Sequence, residues 1–411
     1  MARTKYREID GRSRGFYALF GVLAGLVLAG LAAAWYMEHH GHYVTGMNNR
    51  VVWGMPHVFA LFLIVAASGA LNVASIASVF GRELYKPLTR LSGLLAITLL
   101  AGGLSVLVLD LGRPDRLIVA MTHYNFKSVF AWNIFLYSGF FAVVVIYLWT
   151  MFERRMNAHT ARAGLFAFVW RLILTTGTGS IFGFLVAREH YNSALLAPLF
   201  IVLSFSLGLA VFLLVLMAAF RGSGRALGDE LLNRLARLLG VFVAAVLYFV
   251  LVYHLTNLYI TRQHEVEHFI LVGGGIYTGI FWLGQILLGG IVPLVLLYLP
   301  GAARVRIALA ATCVIGGGLA QLYVLIIGGQ AYPQLVFPGK EVSSSFFDGV
   351  VAAYSPSLPE FALGLGGTAF ALALTIMGLK ILPFLPQSLA DADFDANEAA
   401  GASAGAGSAS A

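Results

Sequence analysis

Ten long apolar runs divide this 411-residue chain, and no other feature limits its possible folds as strongly. Each run is close to or longer than the ~20 residues that a helix needs to cross the hydrocarbon core of a bilayer. An isolated strand would leave its backbone groups unpaired in lipid, so each run is expected to be a helix. Hydrophobic residues form 59% of the chain and charged residues 11%, whereas soluble domains carry about 25% charged residues. The sequence therefore predicts an all-α integral membrane protein with about ten transmembrane helices.

The predicted spans are residues 15–37, 52–80, 88–109, 129–151, 164–187, 193–220, 237–259, 269–299, 305–328 and 359–383. The segment "PLTRLSGLL" (Pro87 to Leu95) resembles "LLNRLARLL" (Leu231 to Leu239) at an offset of 144 residues. An even number of spans lies between the two copies, so both copies run in the same direction. We therefore expect two parallel four-helix bundles plus flanking helices, because internal repeats are common in membrane proteins.

The predicted spans, their connections and this repeat together divide the chain into seven expected parts. They are a basic cytoplasmic N-terminus (1–14), the first transmembrane helix with its outer loop (15–51), the first bundle (52–187), the second bundle (188–328), a periplasmic loop (329–358), the last transmembrane helix (359–383) and a disordered cytoplasmic tail (384–411). The first apolar run is longer than the core of a usual signal peptide, so we expect it to remain as an uncleaved helix.

The positions of Lys and Arg predict the orientation in the membrane. These residues are concentrated in the first 14 residues and in the second, fourth and sixth connections, as in Arg154, Arg155 and Arg162 of the fourth. The positive-inside rule then places both termini in the cytoplasm, in a multi-pass protein of the cytoplasmic (inner) membrane. The net charge of +7 lies in these short segments, so membrane lipid is an expected partner and nucleic acid is not.

Nine of the ten histidines fall on the predicted outer side: His39, His40, His42, His57, His123, His190, His254, His264 and His268. Histidine exchanges protons near neutral pH, although any single loop histidine can also be an ordinary solvated side chain. His57 and His254 lie within spans at similar depth. Other polar residues within spans are Asn72, Asn133, Arg171, Gln285 and Gln321, which are either functional candidates or interhelical hydrogen-bonding groups.

The connection between the third and fourth spans, "DLGRPDRLIVAMTHYNFKSVFAW" (Asp110 to Trp132), contains the densest polar chemistry. Gly112 and Pro114 predict a sharp turn there, at which Asp110 and Arg113 are expected to form an ion pair. Polar side chains at the edge of an apolar bundle suit a ligand with a polar head and an apolar tail. A quinone is such a ligand, since its reduction requires proton donors and a stabilising cation. The alternative is an Asp–Arg clamp that only closes the loop.

Trp53-Gly54, "LDLGRPDR" (Leu109 to Arg116), Ser128 and Trp132 together resemble the NrfD/PsrC family, the membrane subunits of polysulfide-reductase-like complexes. The resemblance covers residues 50 to 330, and its Asp-x-Gly-Arg-Pro core is fairly specific. "HGHYVTGMNNRVVWGMPHVF" (His40 to Phe59) and "MTHYNFKSVFAW" (Met121 to Trp132) are most similar to the DsrP branch, whose members belong to the DsrMKJOP complex of sulfur metabolism.

The resemblance implies a subunit without haem or iron–sulfur cluster that binds a quinone, menaquinone or ubiquinone, near the periplasmic surface. It also implies a periplasmic ferredoxin-like iron–sulfur subunit and other Dsr-type subunits, including cytochromes, as partners, and possible coupling to proton movement. Asp110, Arg113, Arg116 and Trp53 match the family's motifs, and Trp132 matches its fourth-span start. From position alone we add three more residues to the quinone site, with no metal site assigned: His57, His123 and Tyr124.

Two other functions are compatible with the residues. A b-type cytochrome would use His57 and His254 as the two axial ligands of one haem. A secondary transporter is suggested by the parallel repeat and by Arg171 within a span. The single Cys313 excludes a disulfide framework, a cysteine-ligated iron–sulfur cluster and a CxxCH haem attachment.

Overall fold

The computed structural model describes residues 4–299, 304–334, 337, 340 and 349–392, and it confirms the predicted all-α membrane fold. In this described part, ten helices are long and apolar enough to cross a membrane. In sequence order, α1–α10 are Arg14–His40, Met55–Ser78, Leu84–Leu109, Val129–Phe152, Arg154–Gly183, Leu196–Ser223, Asp229–Tyr259, Ile276–Tyr298, Arg304–Ala331 and Leu358–Ile381. Shorter helical elements are His42–Val44, Pro114–Arg116, Leu117–Thr122, Thr261–Gln263, His264–His268 and the π-helical turn Phe269–Gly273.

The predicted boundaries differ most from the observed ones at the starts of α5, α7 and α8, and α5 begins at Arg154 rather than at residue 164. α7 begins at Asp229 rather than at residue 237, since Asp229 and Glu230 occupy its first turn, where negative charge is favourable. α8 begins at Ile276 rather than at residue 269, because Gly275 adopts a φ of 59° and interrupts the helix. A π-helical segment of α8, Ile280–Ile291, directly precedes the α-helical turn that contains Pro293.

The ten helices pack as two groups of four with a flanking pair. α2, α3, α4 and α5 contact one another around a closed ring, here called the first bundle, and α6, α7, α8 and α9 form the equivalent second bundle. The bundles meet mainly where α2 contacts α6, and α5 and α9 add to this interface. α1 packs along α10, which lies against α2 and α3.

The contact between α2 and α6 depends on two glycines. A Cβ atom added to Gly208 of α6 would overlap the carbonyl carbon of Gly69 in α2. A Cβ atom added to Gly69 would overlap the carbonyl oxygen of Ser204. Only residues without a side chain allow the two backbones to approach this closely, as small residues do in membrane helix packing.

The segments near the two ends of the described chain, around residues 6 and 385, lie on one side of the helix array, here called the terminal face. β1 (Tyr6–Arg7) pairs antiparallel with β2 (Leu385–Pro386). The Arg225 guanidinium, at the end of α6, donates to the carbonyl oxygens of Arg7, Glu8, Leu385 and Pro386. The opposite side, where α1 and α3 end and α2 begins, is called the distal face.

The predicted disordered tail (384–411) therefore begins with an ordered segment. Leu385 and Leu389 are buried, and Leu389 donates from its backbone N–H to the carbonyl oxygen of Ala226 and accepts from the N–H of Gly228, so burial of two leucines offsets the cost of ordering this stretch. Residues 393–411 and part of the predicted periplasmic loop (329–358) lie outside the described residues.

We expect Gly208→Leu to lower the free energy of unfolding by about 1–3 kcal/mol, the usual effect of overpacking a filled interior. The side chain would have to displace the backbone of α2. Thermal unfolding of the purified protein in detergent measures the effect. Gly25→Leu in α1 is the matched control, because no atom lies within 4 Å of its Cβ position. Equal unfolding temperatures for the two variants would contradict the proposed role of this contact.

Candidate functional site

Asp110 lies at the C-terminal end of α3 on the distal face, and its side chain is only 2% exposed. Its backbone N–H still donates to the carbonyl oxygen of Val106. The backbone then leaves the helix through Leu111 and Gly112 and turns at Pro114. This helix end directs the carboxylate into the protein, where burial of a charge is unfavourable unless other groups compensate it.

His57 provides the first compensating group. It lies in the first turn of α2, after Gly54 and Pro56, and its Nδ1 is 3.0 Å from Oδ2 of Asp110. The angles at this contact are poor, so neither His57 Nδ1 nor the Asp110 oxygens make a hydrogen bond of regular geometry within the described residues. The contact is therefore mainly electrostatic, and both groups retain the capacity to bind a further proton donor or acceptor.

His42 provides the second compensating group. It belongs to the short helix that follows α1, and its Nε2 lies 3.0 Å from the backbone carbonyl oxygen and 3.7 Å from Oδ1 of Asp110. The sequence placed His42 among the outer histidines but not in the site. The sequence feature that could have indicated this contact is Gly41, directly after α1. Its φ of 88° turns the backbone toward the end of α3.

These contacts determine the protonation states of the site. Burial by itself raises the pKa of the Asp110 carboxyl, but the contacts with His42 and His57 outweigh it and leave that pKa below its ordinary value. Contact with Asp110 raises the pKa of His42 despite partial burial. Asp110 is thus an anion at neutral pH, and His42 holds its proton to a higher pH than a solvated histidine.

Trp53 forms the wall of the site beside His57. The two rings are nearly parallel, with centroids 6.1 Å apart and an angle of 28° between their planes. Trp53 also contacts Phe130 of α4 at 5.8 Å and Phe182 of α5 at 5.9 Å. The first bundle therefore places a partly exposed imidazole between a buried carboxylate and a group of aromatic rings.

The predicted Asp110–Arg113 ion pair is wrong. Nε and Nη2 of Arg113 donate to the two carboxylate oxygens of Asp115, each at 3.0 Å, and both side chains are more than half exposed. The reason is geometric, because Asp110 ends α3 and faces inward, whereas Arg113 is already in the solvated turn. Arg116 is likewise exposed.

The other predicted site residues belong to a separate cluster on the same loop. Tyr124 packs on Phe135 with ring centroids 4.4 Å apart, and Trp132 donates from Nε1 to the carbonyl oxygen of Phe126. His123 is exposed and contacts the Thr122 hydroxyl at 3.0 Å. The structure therefore brings together Trp53, His57 and Asp110 from the predicted set. It leaves Tyr124 and Trp132 in an aromatic cluster with Phe126 and Phe135, and His123 beside Thr122.

His254 occupies a different cluster, in the second bundle. Its Nδ1 lies 2.6 Å from Oε2 of Glu267, and the Asn257 amide donates to Oε1 at 2.7 Å. Glu267 is fully buried, which by itself raises the pKa of its carboxyl. The contact with His254 outweighs burial and leaves the pKa of Glu267 below its ordinary value. The sequence missed Glu267, which lies in a connection with no apolar run to mark its burial. His57 and His254 thus contact different carboxylates in different bundles.

Among the described residues, no three His, Cys, Asp or Glu side chains converge in a way that could hold a metal ion. The group of Asp110, His57 and Trp53 at the distal end of the first bundle is instead suited to proton exchange. An imidazole paired with a carboxylate through one nitrogen keeps its second nitrogen available for another group.

Comparison with known proteins gives the family of this chain. A family model described as polysulphide reductase, NrfD, matches residues 43–334. The chain belongs to the NrfD family. The matched region includes Trp53, His57, Asp110 and Arg113, whereas His42 lies one residue before it.

Several curated relatives match most of the length of this NrfD-family protein. An Hdr-like menaquinol oxidoreductase integral membrane subunit from Archaeoglobus fulgidus is 30% identical over 388 residues, which is 93% of this chain and 97% of the relative. The C subunit of polysulfide reductase from Wolinella succinogenes is 26% identical, covering 69% of this chain and 96% of the relative. The menaquinone reductase integral membrane subunit of Nitratidesulfovibrio vulgaris is 22% identical, covering 87% and 89% respectively.

The contact between His42 and Asp110 predicts a specific pH dependence of stability. A histidine whose pKa is raised in the folded state contributes stability that is fully present below about pH 6.5 and is lost as the pH rises through the folded pKa. We expect the unfolding temperature to fall more steeply above pH 6.5 in the wild type than in His42→Gln. His159→Gln, at an exposed histidine of the terminal face, should retain the wild-type profile. Identical profiles for wild type and His42→Gln would contradict the assignment.

Proposed function

We propose that this protein is the quinone-reacting membrane subunit of a multi-subunit respiratory redox complex. The observation that carries the proposal is the contact of buried Asp110 with partly exposed His57, beside Trp53, at the distal end of the first bundle. Three relatives support it, since two have names that specify menaquinol or menaquinone as the reacting species and the third is a polysulfide reductase subunit.

The residues of the cluster fit the head of a quinone. His57 would hold one ring oxygen through a hydrogen bond, Asp110 would orient the imidazole and stabilise its charged form, and Trp53 would pack against the ring. A bound quinol supplies two electrons and two protons. His57 accepts one of the two protons from a quinol hydroxyl group, and the other is released to water at the distal face. The lowered pKa of Asp110 keeps a negative charge beside the imidazolium that results.

The electrons must leave this protein through another subunit. A single cysteine cannot hold a cysteine-ligated cluster, which commonly needs four thiolates. We therefore propose a periplasmic ferredoxin-like iron–sulfur subunit that docks on the distal face, with cytochrome-containing Dsr-type subunits in the same sulfur-metabolism complex. In this orientation the terminal face is cytoplasmic, and proton release at the distal face would couple turnover to proton movement.

The outer residues of the loop have a secondary role in this proposal. Arg113 and Arg116 lie on the solvated turn, Tyr124 and Trp132 belong to the aromatic cluster with Phe126 and Phe135, and His123 is exposed beside Thr122. We assign the five predicted residues among these to the entrance of the site, where they would contact the quinone transiently. Proton transfer is assigned to His57 and its partner Asp110.

This division of roles predicts different effects of two substitutions. His57→Ala should lower quinol-linked kcat/KM by about 10²–10⁴-fold, the usual contribution of a positioned general base. Arg113→Ala should lower it less than tenfold, because its guanidinium is paired with Asp115 in solvent. Steady-state assays on the purified complex, with subunit content checked on a gel, would measure both. Comparable losses in both variants would return Arg113 to the centre of the site, and full activity of His57→Ala would refute the proposal.

A further inference from the structure

We propose that Gln330, a buried glutamine of the second bundle, is a positioning residue for the quinone site of the first bundle. This inference rests on the function proposed above. The Gln330 side chain forms hydrogen bonds with the backbone of Val52, Trp53 and Ile326, and none of these bonds involves His57 or Asp110. It acts through the backbone of Trp53, whose ring forms the wall of the site.

The Gln330 side chain uses its full hydrogen-bonding capacity at the junction of the two bundles. Its Oε1 accepts from the backbone N–H groups of Val52 at 3.0 Å and Trp53 at 3.1 Å. Its Nε2 donates to the carbonyl oxygens of Trp53 at 3.0 Å and Ile326 at 2.8 Å. An amide has two acceptor positions and two N–H donors, so all four are used, and the residue is only 3% exposed.

Both backbone groups of Trp53 are therefore bound by one side chain, as they would be by a neighbouring strand. This fixes the peptide from which the indole extends, four residues before His57. The same indole contacts His57, Phe130 and Phe182. A rotation of the Trp53 backbone would thus move the wall of the site relative to the imidazole.

Gln330 is itself held rigidly. Arg188, in the connection between α5 and α6, donates from Nη1 to the carbonyl oxygen of Gln330 at 2.9 Å and from Nη2 to that of Arg50 at 2.8 Å. The Tyr191 hydroxyl donates to the carbonyl oxygen of Ile326 at 2.8 Å, which also accepts from Gln330. The loop before α2 is therefore attached to α9 and to the connection between the bundles.

The chemistry of the amide explains why a glutamine is needed at this position. An apolar side chain of similar length would leave two N–H groups and one carbonyl oxygen of the loop without partners. Buried backbone groups rarely remain unpaired, so the loop is expected to move until water or other groups satisfy them. Displacement of binding groups by about 1 Å can reduce turnover by as much as 10²-fold.

The test compares Gln330→Met, Gln330→Glu and the control Gln321→Met in the complete complex. Gln321 is another buried glutamine of α9, and it lines a small cavity between α6, α7, α8 and α9 rather than the loop before α2. Hydrogen exchange measured by mass spectrometry directly reports the protection of the backbone N–H groups of Val52 and Trp53, which donate to Gln330. We expect exchange in the segment containing Val52 and Trp53 to become at least about tenfold faster in Gln330→Met, since the protecting acceptor is lost, and to be unchanged in Gln321→Met.

Steady-state kinetics give the functional readout. We expect Gln330→Met to raise the KM for quinol by about tenfold with little change in the pH dependence of kcat, because His57 and Asp110 remain in place. Gln330→Glu should be intermediate in both measurements, since a carboxylate can still accept from Val52 and Trp53 but cannot donate to Trp53.

The outcomes separate this inference from the proposed function. Faster exchange in Gln330→Met with an unchanged KM would overturn the inference, because Gln330 would then stabilise the loop without affecting the site. An equal rise in KM for Gln321→Met would also overturn it, since any loss of packing in α9 would explain the result. Absence of quinol turnover in the wild-type complex would instead refute the proposed function on which the inference rests.

Discussion

Burial of the Asp110 carboxylate at the edge of the membrane is the interaction on which the proposed site depends. An isolated buried carboxylate would take up a proton. Here His57 and His42, from two different segments, lie close enough to keep the pKa of the carboxyl below its ordinary value. The ends of α1, α2 and α3 are therefore brought together around one charge, and this arrangement produces the polar cluster at the distal face.

The remainder of the fold keeps these helix ends in position. α2 carries His57 and is the most enclosed of the ten membrane helices among the described residues. Gly69 and Gly208 allow it to contact the second bundle at the backbone level. Gln330 attaches the preceding loop to α9. The second bundle thus supports the site from two directions, while the Asp110–His57 pair itself comes from the first bundle.

The sequence was sufficient to predict the ten helices, since length and hydrophobicity determine which segments can cross a bilayer. The sequence also drew attention to Asp110 and Trp53 through their match to family motifs and to His57 through its position in the second span, and the structure places these three residues together. It could not predict the partner of Arg113, which depends on the direction in which each side chain leaves the turn. Nor could it identify His42 or Gln330, whose contacts join residues 68 and 277 positions apart in the sequence.

The bis-histidine alternative rested on the depth of the two histidines in their spans. His57 and His254 occur at similar depth, yet each lies beside its own carboxylate, Asp110 in one case and Glu267 in the other. The sequence gives the depth of each histidine along its helix. Ligation of one haem by both histidines also depends on how the two helices are rotated and packed against each other. Rotation and packing depend on close contacts such as that between Gly69 and Gly208, which hydropathy does not encode.

Titration of the purified protein with a fluorescent quinol analogue, followed by quenching on binding, tests the central claim most directly. We expect saturable binding of about one analogue per protein molecule, and substantially weaker binding in Asp110→Asn, because the change removes the carboxylate that lies 3.0 Å from Nδ1 of His57 and orients the imidazole toward the quinol hydroxyl. Saturable binding that Asp110→Asn leaves unchanged would place the quinone elsewhere in the protein. Absence of saturable binding in the wild type would contradict the proposed function itself.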